Sequence, residues 1–187
     1  MTGRLWLVVG PSGAGKDTVL AALADQLVPE DDVMIAGRTI TRPNRPGETE
    51  RHIAVTTAAF DRLETAGSYA LTWDSHALRY GLGVEIRNWV NAGMTVVANG
   101  SRAAVPQARA AFGLALRVAE ITAPDAVLAA RLVARDREAP EDIADRLTRN
   151  ATLPLLDSDL NIANVTTIET AAGTLRIALR KMHAPYA

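Results

Sequence analysis

Apolar and polar positions along this chain keep two rhythms in turn. Leu5-Trp6-Leu7-Val8-Val9 is an unbroken apolar run, too short for a core helix, and predicts a strand buried on both faces. Over residues 17–27 the spacing changes: Val19, Leu20, Leu23 and Leu27 fall on one helical face, and Pro29 ends the pattern. Val33-Met34-Ile35-Ala36 predicts a second strand. After a long polar interruption the alternation resumes with a helix over 84–92 stopped by Gly93, the strand Met94-Thr95-Val96-Val97-Ala98, a helix over 102–112 and a strand over 114–121. Thr122, with Asp125 three places on, predicts a capped helix start leading into Val127-Leu128-Ala129-Ala130-Arg131-Leu132. The last elements are a strand Leu160-Asn161-Ile162-Ala163, a capping box from Thr166 to Glu169 and an amphipathic helix over 175–182. Strands and helices in this order predict an α/β fold with a central parallel sheet flanked by helices.

The interruption has a character of its own. Residues 37–55 are rich in arginine, proline and acids, with Arg38, Arg42, Arg45 and Arg51 falling between two apolar stretches. Arginine forks take phosphate oxygens in pairs, so such a segment either lies solvated on the surface or lines an anion site. Thr57 is expected to cap a short helix over 58–66, with Phe60 and Leu63 on one face and Gly67 as its stop. Ser68-Tyr69-Ala70-Leu71-Thr72-Trp73 alternates as a strand, Asp74-Ser75-His76 reads as a turn, and Leu78-Arg79-Tyr80-Gly81-Leu82-Gly83 follows. Residues 37–83 thus form an insertion, part sheet and part helix. Within it Trp73, His76 and Tyr80 are site candidates, each equally suited to filling a small core. Residues 131–150 carry arginines on both sides of a short charged corner. They suit a helical lid that closes on a transferring group, or ordinary surface helices with ion pairs such as Asp142 to Arg146.

Composition narrows the class. With 187 residues, 48% of them apolar, and a net charge of −1, the chain is sized for one globular domain and has no broadly cationic surface for nucleic acid. It has no cysteine, which removes disulfides, thiolate catalysis and cysteine-ligated zinc. His52, His76 and His183 are not at metal-site spacing. The apolar run after Met1-Thr2-Gly3-Arg4 is too short for a signal segment or a membrane span, so a cytoplasmic address with access to ATP is expected.

The chemistry begins where the first strand ends. Gly10-Pro11-Ser12-Gly13-Ala14-Gly15-Lys16-Asp17-Thr18 stands between a strand and a helix, the context a P-loop requires. Its glycines let successive amides turn inward, the helix N-terminus adds positive potential, and Lys16 adds a full charge, so the loop is expected to bind nucleotide phosphates. Asp17 occupies the place where Ser or Thr usually ligates Mg²⁺. It is expected to hold the ion through water or to cap the helix, with Thr18 able to supply a hydroxyl. Asn99-Gly100-Ser101-Arg102 follows the strand at 94–98, where ligands bind in open α/β sheets, and that strand carries no acid for the metal. The P-loop upstream favours the acceptor-site reading of the arginine segment.

Several of these motifs together resemble the guanylate kinase fold group over almost the entire chain. They are the P-loop, Thr41-Arg42 with Arg45-Pro46-Gly47-Glu48, Tyr80-Gly81, and Arg135 with Arg137. Gly15-Lys16-Asp17, the stretch from Trp73 to Gly81, and Asn99-Gly100-Ser101-Arg102 are more similar to the ribose 1,5-bisphosphate phosphokinase family of bacterial phosphonate breakdown. That resemblance implies a single P-loop kinase domain, with its core at 1–36 and 84–187, an acceptor-binding insertion at 37–83 and a lid at 131–150. It implies conversion of ribose 1,5-bisphosphate to 5-phosphoribosyl 1-diphosphate with ATP and Mg²⁺. Arg42, Arg45 and Tyr80 would anchor one phosphate of the sugar, Arg38 with His76 or Arg102 the other, and Trp73 would line the site. Lys16 and the lid residues Arg135, Arg137, Arg146 and Arg149 would offset charge on the transferring group. Aligned on these motifs, the residues with which guanylate kinases read guanine fall at Arg38 and Leu71, neither of which can pair the base's donors. The alternatives are a guanylate kinase and a non-catalytic guanylate-kinase-like binding module. A phosphorylated sugar is the expected partner, without nucleic acid or membrane; a homodimer stays open.

Overall fold

The computed structural model describes residues 3–44, 46, 52–134 and 156–181. Five strands form the central sheet: β1 (Arg4–Val9), β2 (Val33–Ala36), β7 (Thr95–Asn99), β8 (Leu116–Thr122) and β9 (Leu160–Ala163), in the order β2-β7-β1-β8-β9 and parallel throughout. Alternation along β1 divides the core between the two faces of this sheet. Leu5, Leu7 and Val9 pack with Val96, Val118, Ile86 and Val105 on one side, under α3 (Glu85–Asn91) and α4 (Val105–Phe112). Trp6 and Val8 pack with Val97, Ile121, Val19, Leu23 and Leu175 on the other, under α1 (Lys16–Gln26) and α6 (Ile168–Lys181). Burial on both faces is what requires the unbroken apolar run.

The insertion is a second sheet of order β4-β3-β6-β5, made of β3 (Arg38–Ile40), β4 (Ile53–Ala54), β5 (Tyr69–Ser75) and β6 (Leu78–Gly83), with α2 (Thr57–Thr65) against it. Its inner face, with Leu71, Trp73 and Leu82, joins the α3/α4 side of the main core. Arg79 fastens α2 to the hairpin: its guanidinium lies 4.4 Å over the Phe60 ring and pairs with Asp61 and Glu64.

Several predicted boundaries move. Asp74 and Ser75 belong to β5, and the turn is His76-Ala77, both with positive φ (52° and 58°), as a two-residue hairpin that follows the strands' twist demands. Thr56, not Thr57, caps α2, its hydroxyl accepting from the Ala59 amide at 3.2 Å. Thr167, not Thr166, does the same for α6, accepting from the Thr170 amide at 3.2 Å. Thr122 stays in β8, and the Val127 and Leu128 amides donate instead to the carbonyl of Pro124 as α5 (Asp125–Ala134) begins. The helix expected over 102–112 is a tight turn over Arg102–Ala104 followed by α4, and a further turn over Gly113–Ala115 delays β8 to Leu116. The lid expected over 131–150 lies outside the described residues beyond 134.

Asp31 locks the far end of the fold. Its buried carboxylate accepts from the Val28 amide at 3.0 Å and from Arg176 Nη2 at 2.8 Å, and also pairs with Arg180. Burial alone would push its pKa up. The Val28 amide and the two guanidiniums outweigh burial and hold it at about 2, below the ordinary 3.8. A depressed carboxyl stabilises the fold above its unfolded pKa, so this contribution is full above pH 4 and fades as pH falls toward 2. Asp31→Asn is expected to cost about 2 kcal/mol at pH 7, and the deficit relative to wild type should shrink in melts taken between pH 4 and pH 2.

Candidate active site

The loop between β1 and α1 is shaped by glycines that no other residue replaces cheaply. Gly10, Gly13 and Gly15 have φ of 143°, 85° and 86°. A Cβ on Gly10 would stand 2.0 Å from the carbonyl oxygen of Ile121 in the neighbouring strand. No side chain caps α1 at Gly15, so the first amides of the helix are not taken by a cap, an arrangement suited to an anion. Lys16 folds over the loop, its Nζ donating to the carbonyls of Gly10 at 2.9 Å and Pro11 at 3.0 Å.

Sheet register brings further groups to this edge. Val8 lies opposite Asn99 and Val9 opposite Glu120, so the ends of β7 and β8 flank the loop. Asn164, just past β9, is wholly buried behind it, with Nδ2 donating to the Ala14 carbonyl at 2.8 Å and its own carbonyl accepting from Arg131 Nη2 at 3.1 Å. A Cβ on Gly15 would strike the Asn164 amide at 2.6 Å. The sequence alone does not point to Asn164, Arg131 or Glu120 as parts of this site. Only Asn164 carries a visible signal, a polar residue directly after a predicted strand.

Asp17 turns away from the helix backbone. Its Oδ1 accepts from Asn99 Nδ2 and lies 3.6 Å from Arg38 Nη2 in β3. Arg38, only 8% exposed, lies 5.2 Å over the ring of Tyr80, which stacks on Trp73 at 5.5 Å and 5°. The P-loop, Asp17, Arg38, Tyr80 and Trp73 are thus linked in one chain of contacts, from the phosphate cradle into the second sheet.

The other candidates are placed differently. Arg42 is half-buried in the segment after β3, donating to the Pro43 carbonyl at 3.1 Å, and its own carbonyl meets His52 Nε2 at 3.2 Å. Arg102 lies at the end of β7 with its charge already matched, 2.5 Å from the buried Glu120. His76 is exposed at the hairpin turn, beyond the Trp73–Tyr80 pair. Thr18 is half-buried in the first turn of α1. Arg45, Arg135, Arg137, Arg146 and Arg149 lie outside the described residues. Among the described residues no three His, Cys, Asp or Glu side chains gather as a metal cage, and no helix is long and apolar enough to cross a membrane.

Comparison with known proteins follows this geometry. Residues 5–154 match a family model described as an AAA domain. The ribose 1,5-bisphosphate phosphokinase PhnN of Acidiphilium cryptum is 44% identical over 180 residues, which is 96% of this chain and 94% of that one. The chain belongs to the ribose 1,5-bisphosphate phosphokinase family. A relative of the same name from Laribacter hongkongensis is 49% identical over 150 residues, 80% of this chain, and the match occupies 36% of that longer protein. The fold of this phosphokinase family member is the guanylate kinase one. The crystal structure of the guanylate kinase from Anaplasma phagocytophilum superposes with a TM-score of 0.75 at 19% identity, over 98% of this chain and 88% of that one.

Proposed function

We propose that the chain transfers the γ-phosphoryl group of ATP to the 1-phosphate of ribose 1,5-bisphosphate, giving ADP and 5-phosphoribosyl 1-diphosphate, and that it does so in the cytoplasm during phosphonate breakdown. An oxygen of the acceptor phosphate attacks the γ-phosphorus while the bond from that phosphorus to the leaving ADP oxygen breaks. The nucleophile is already an anion, so the site needs alignment and charge neutralisation rather than a strong base. Arg38 carries the reading: a buried guanidinium stands beside Tyr80 in the acceptor sheet, where a guanine would need hydrogen-bond acceptors. Leu71, 1% exposed, buries its side chain in the core and offers the base nothing. A sugar with a phosphate at each end suits that chemistry.

In this scheme the P-loop amides and Lys16 hold the ATP phosphates. Arg42, Arg45 and Tyr80 hold one phosphate of the sugar, and Arg38 the other. The lid at 131–150 brings Arg135, Arg137, Arg146 and Arg149 to the transferring group. The donors at the helix start are hard oxygens, the Asp17 carboxylate and the Thr18 hydroxyl. Beside them the buried Oδ1 of Asn99 has no hydrogen-bond partner among the described residues. This set fits Mg²⁺, held by Asp17 and Thr18 directly or through water and otherwise by phosphate oxygens. When bound, the ion would neutralise charge on the β- and γ-phosphates.

Phosphorus NMR of reactions with ATP decides the substrate. With ribose 1,5-bisphosphate the expected product shows two coupled diphosphate signals and an unchanged 5-phosphate, alongside ADP. With GMP turnover should fall by a factor of about 100 or more. Faster turnover of GMP would make the chain a guanylate kinase. ATP binding without turnover of either acceptor would leave a binding module.

A further inference from the structure

The contact between Asp17 and Arg38 joins two elements that no sheet ladder connects: the first turn of the helix behind the ATP loop and an edge-proximal strand of the acceptor sheet. Resting on the reading above, we infer that Asp17 is a positioning residue for the acceptor, holding Arg38 in the orientation that meets a sugar phosphate. Three observations carry this. Both partners of Asp17, Asn99 Nδ2 and Arg38 Nη2, address the same oxygen, Oδ1, so the carboxylate is oriented toward the cleft by a residue fixed at the end of β7. The Arg38 side chain is confined on another side by the face of Tyr80, itself backed by Trp73. A guanidinium presents five N–H donors in a planar fork, the geometry that matches a phosphate.

The arrangement has a cost that makes it testable. A carboxylate at the meeting point of ATP and a bisphosphate repels both unless a cation covers it. Arg38 is that cover. Removing Arg38 alone exposes the acceptor to an uncompensated negative charge; removing both removes the repulsion as well. A carboxylate serving only as a metal ligand behaves otherwise, because its loss adds to any other lesion. One serving only as the acidic residue of a helix's first turn changes stability without touching the acceptor.

The test is a double-mutant cycle on the full chain with D17N, R38Q and D17N/R38Q. KM for ribose 1,5-bisphosphate, KM for ATP, the Mg²⁺ concentration for half-maximal rate and the melting temperature are read for each. D17N is expected to raise the acceptor KM about tenfold together with a rise in Mg²⁺ half-saturation, with ATP KM little changed. R38Q should raise the acceptor KM further, and the double variant should bind the acceptor better than R38Q alone. R38M takes the place of R38Q if the latter melts below assay temperature. Multiplying effects, a D17N defect confined to Mg²⁺ half-saturation, or one confined to melting temperature would each overturn the inference while leaving the proposed reaction standing. Failure of the wild type to phosphorylate ribose 1,5-bisphosphate would overturn both.

Discussion

Replacing Lys16 with Met is expected to lower turnover by about a thousandfold and to leave the melting temperature nearly unchanged. The two halves of this expectation come from the same geometry. Lys16 donates to two carbonyls of its own loop, Gly10 and Pro11, neither of which lies in a strand or helix. Its charge matters when phosphates fill the cradle, because negative charge shifts toward the leaving oxygen as the γ-phosphoryl group departs. The backbone amides remain and still bind ATP, so the loss should fall on kcat more than on the KM for ATP. Steady-state kinetics beside a thermal melt separate these quantities. A variant that keeps its turnover would show that the loop is not where the reaction happens.

Arg38→Ser carries the second large effect, of a different kind. It should raise the KM for ribose 1,5-bisphosphate about a hundredfold and that for ATP by less than about threefold. The side chain is nearly buried between Tyr80 and Asp17, so a serine leaves a gap and takes the positive charge from it. The small sheet itself should persist, since β3 is laddered to both β4 and β6 through its backbone. Equal increases for both substrates would refute the assignment of Arg38 to the sugar.

Most of the fold was legible because the apolar rhythm is strong where a parallel sheet is covered on both sides. The run from Leu5 to Val9 and the glycine turn after it placed the ATP loop without any knowledge of strand order. Cap positions were less legible for a local reason. Thr56-Thr57 and Thr166-Thr167 are doublets in which either hydroxyl has the right chemistry, and the path of the preceding chain decides which one meets the N3 amide. The turn at His76-Ala77 was hidden because alanine rarely adopts positive φ, and only the pairing of Ser75 with Leu78 forces it there.

The site divides along similar lines. Gly10 through Lys16 announce themselves as a contiguous motif, whereas the link from Asp17 to Arg38 depends on how a second sheet is hung beside the first. Arg102 was a reasonable phosphate ligand as an isolated cation at a strand end. Its pairing with Glu120 appears only once β8 is known to lie beside β1 in the register that sets Glu120 against Val9. Asn164 and Arg131 meet behind the loop for the same reason, brought there by the parallel pairing of β9 with β8.

The strands proposed to meet the acceptor, β4-β3-β6-β5, form a sheet of their own among the described residues, while the ATP loop hangs from the other sheet. Changes of side chain in the smaller sheet can therefore accumulate without disturbing the backbone that grips the donor. A lineage built this way is free to exchange a purine for a sugar as its second reactant, provided that each new acceptor brings a phosphate to the same threshold.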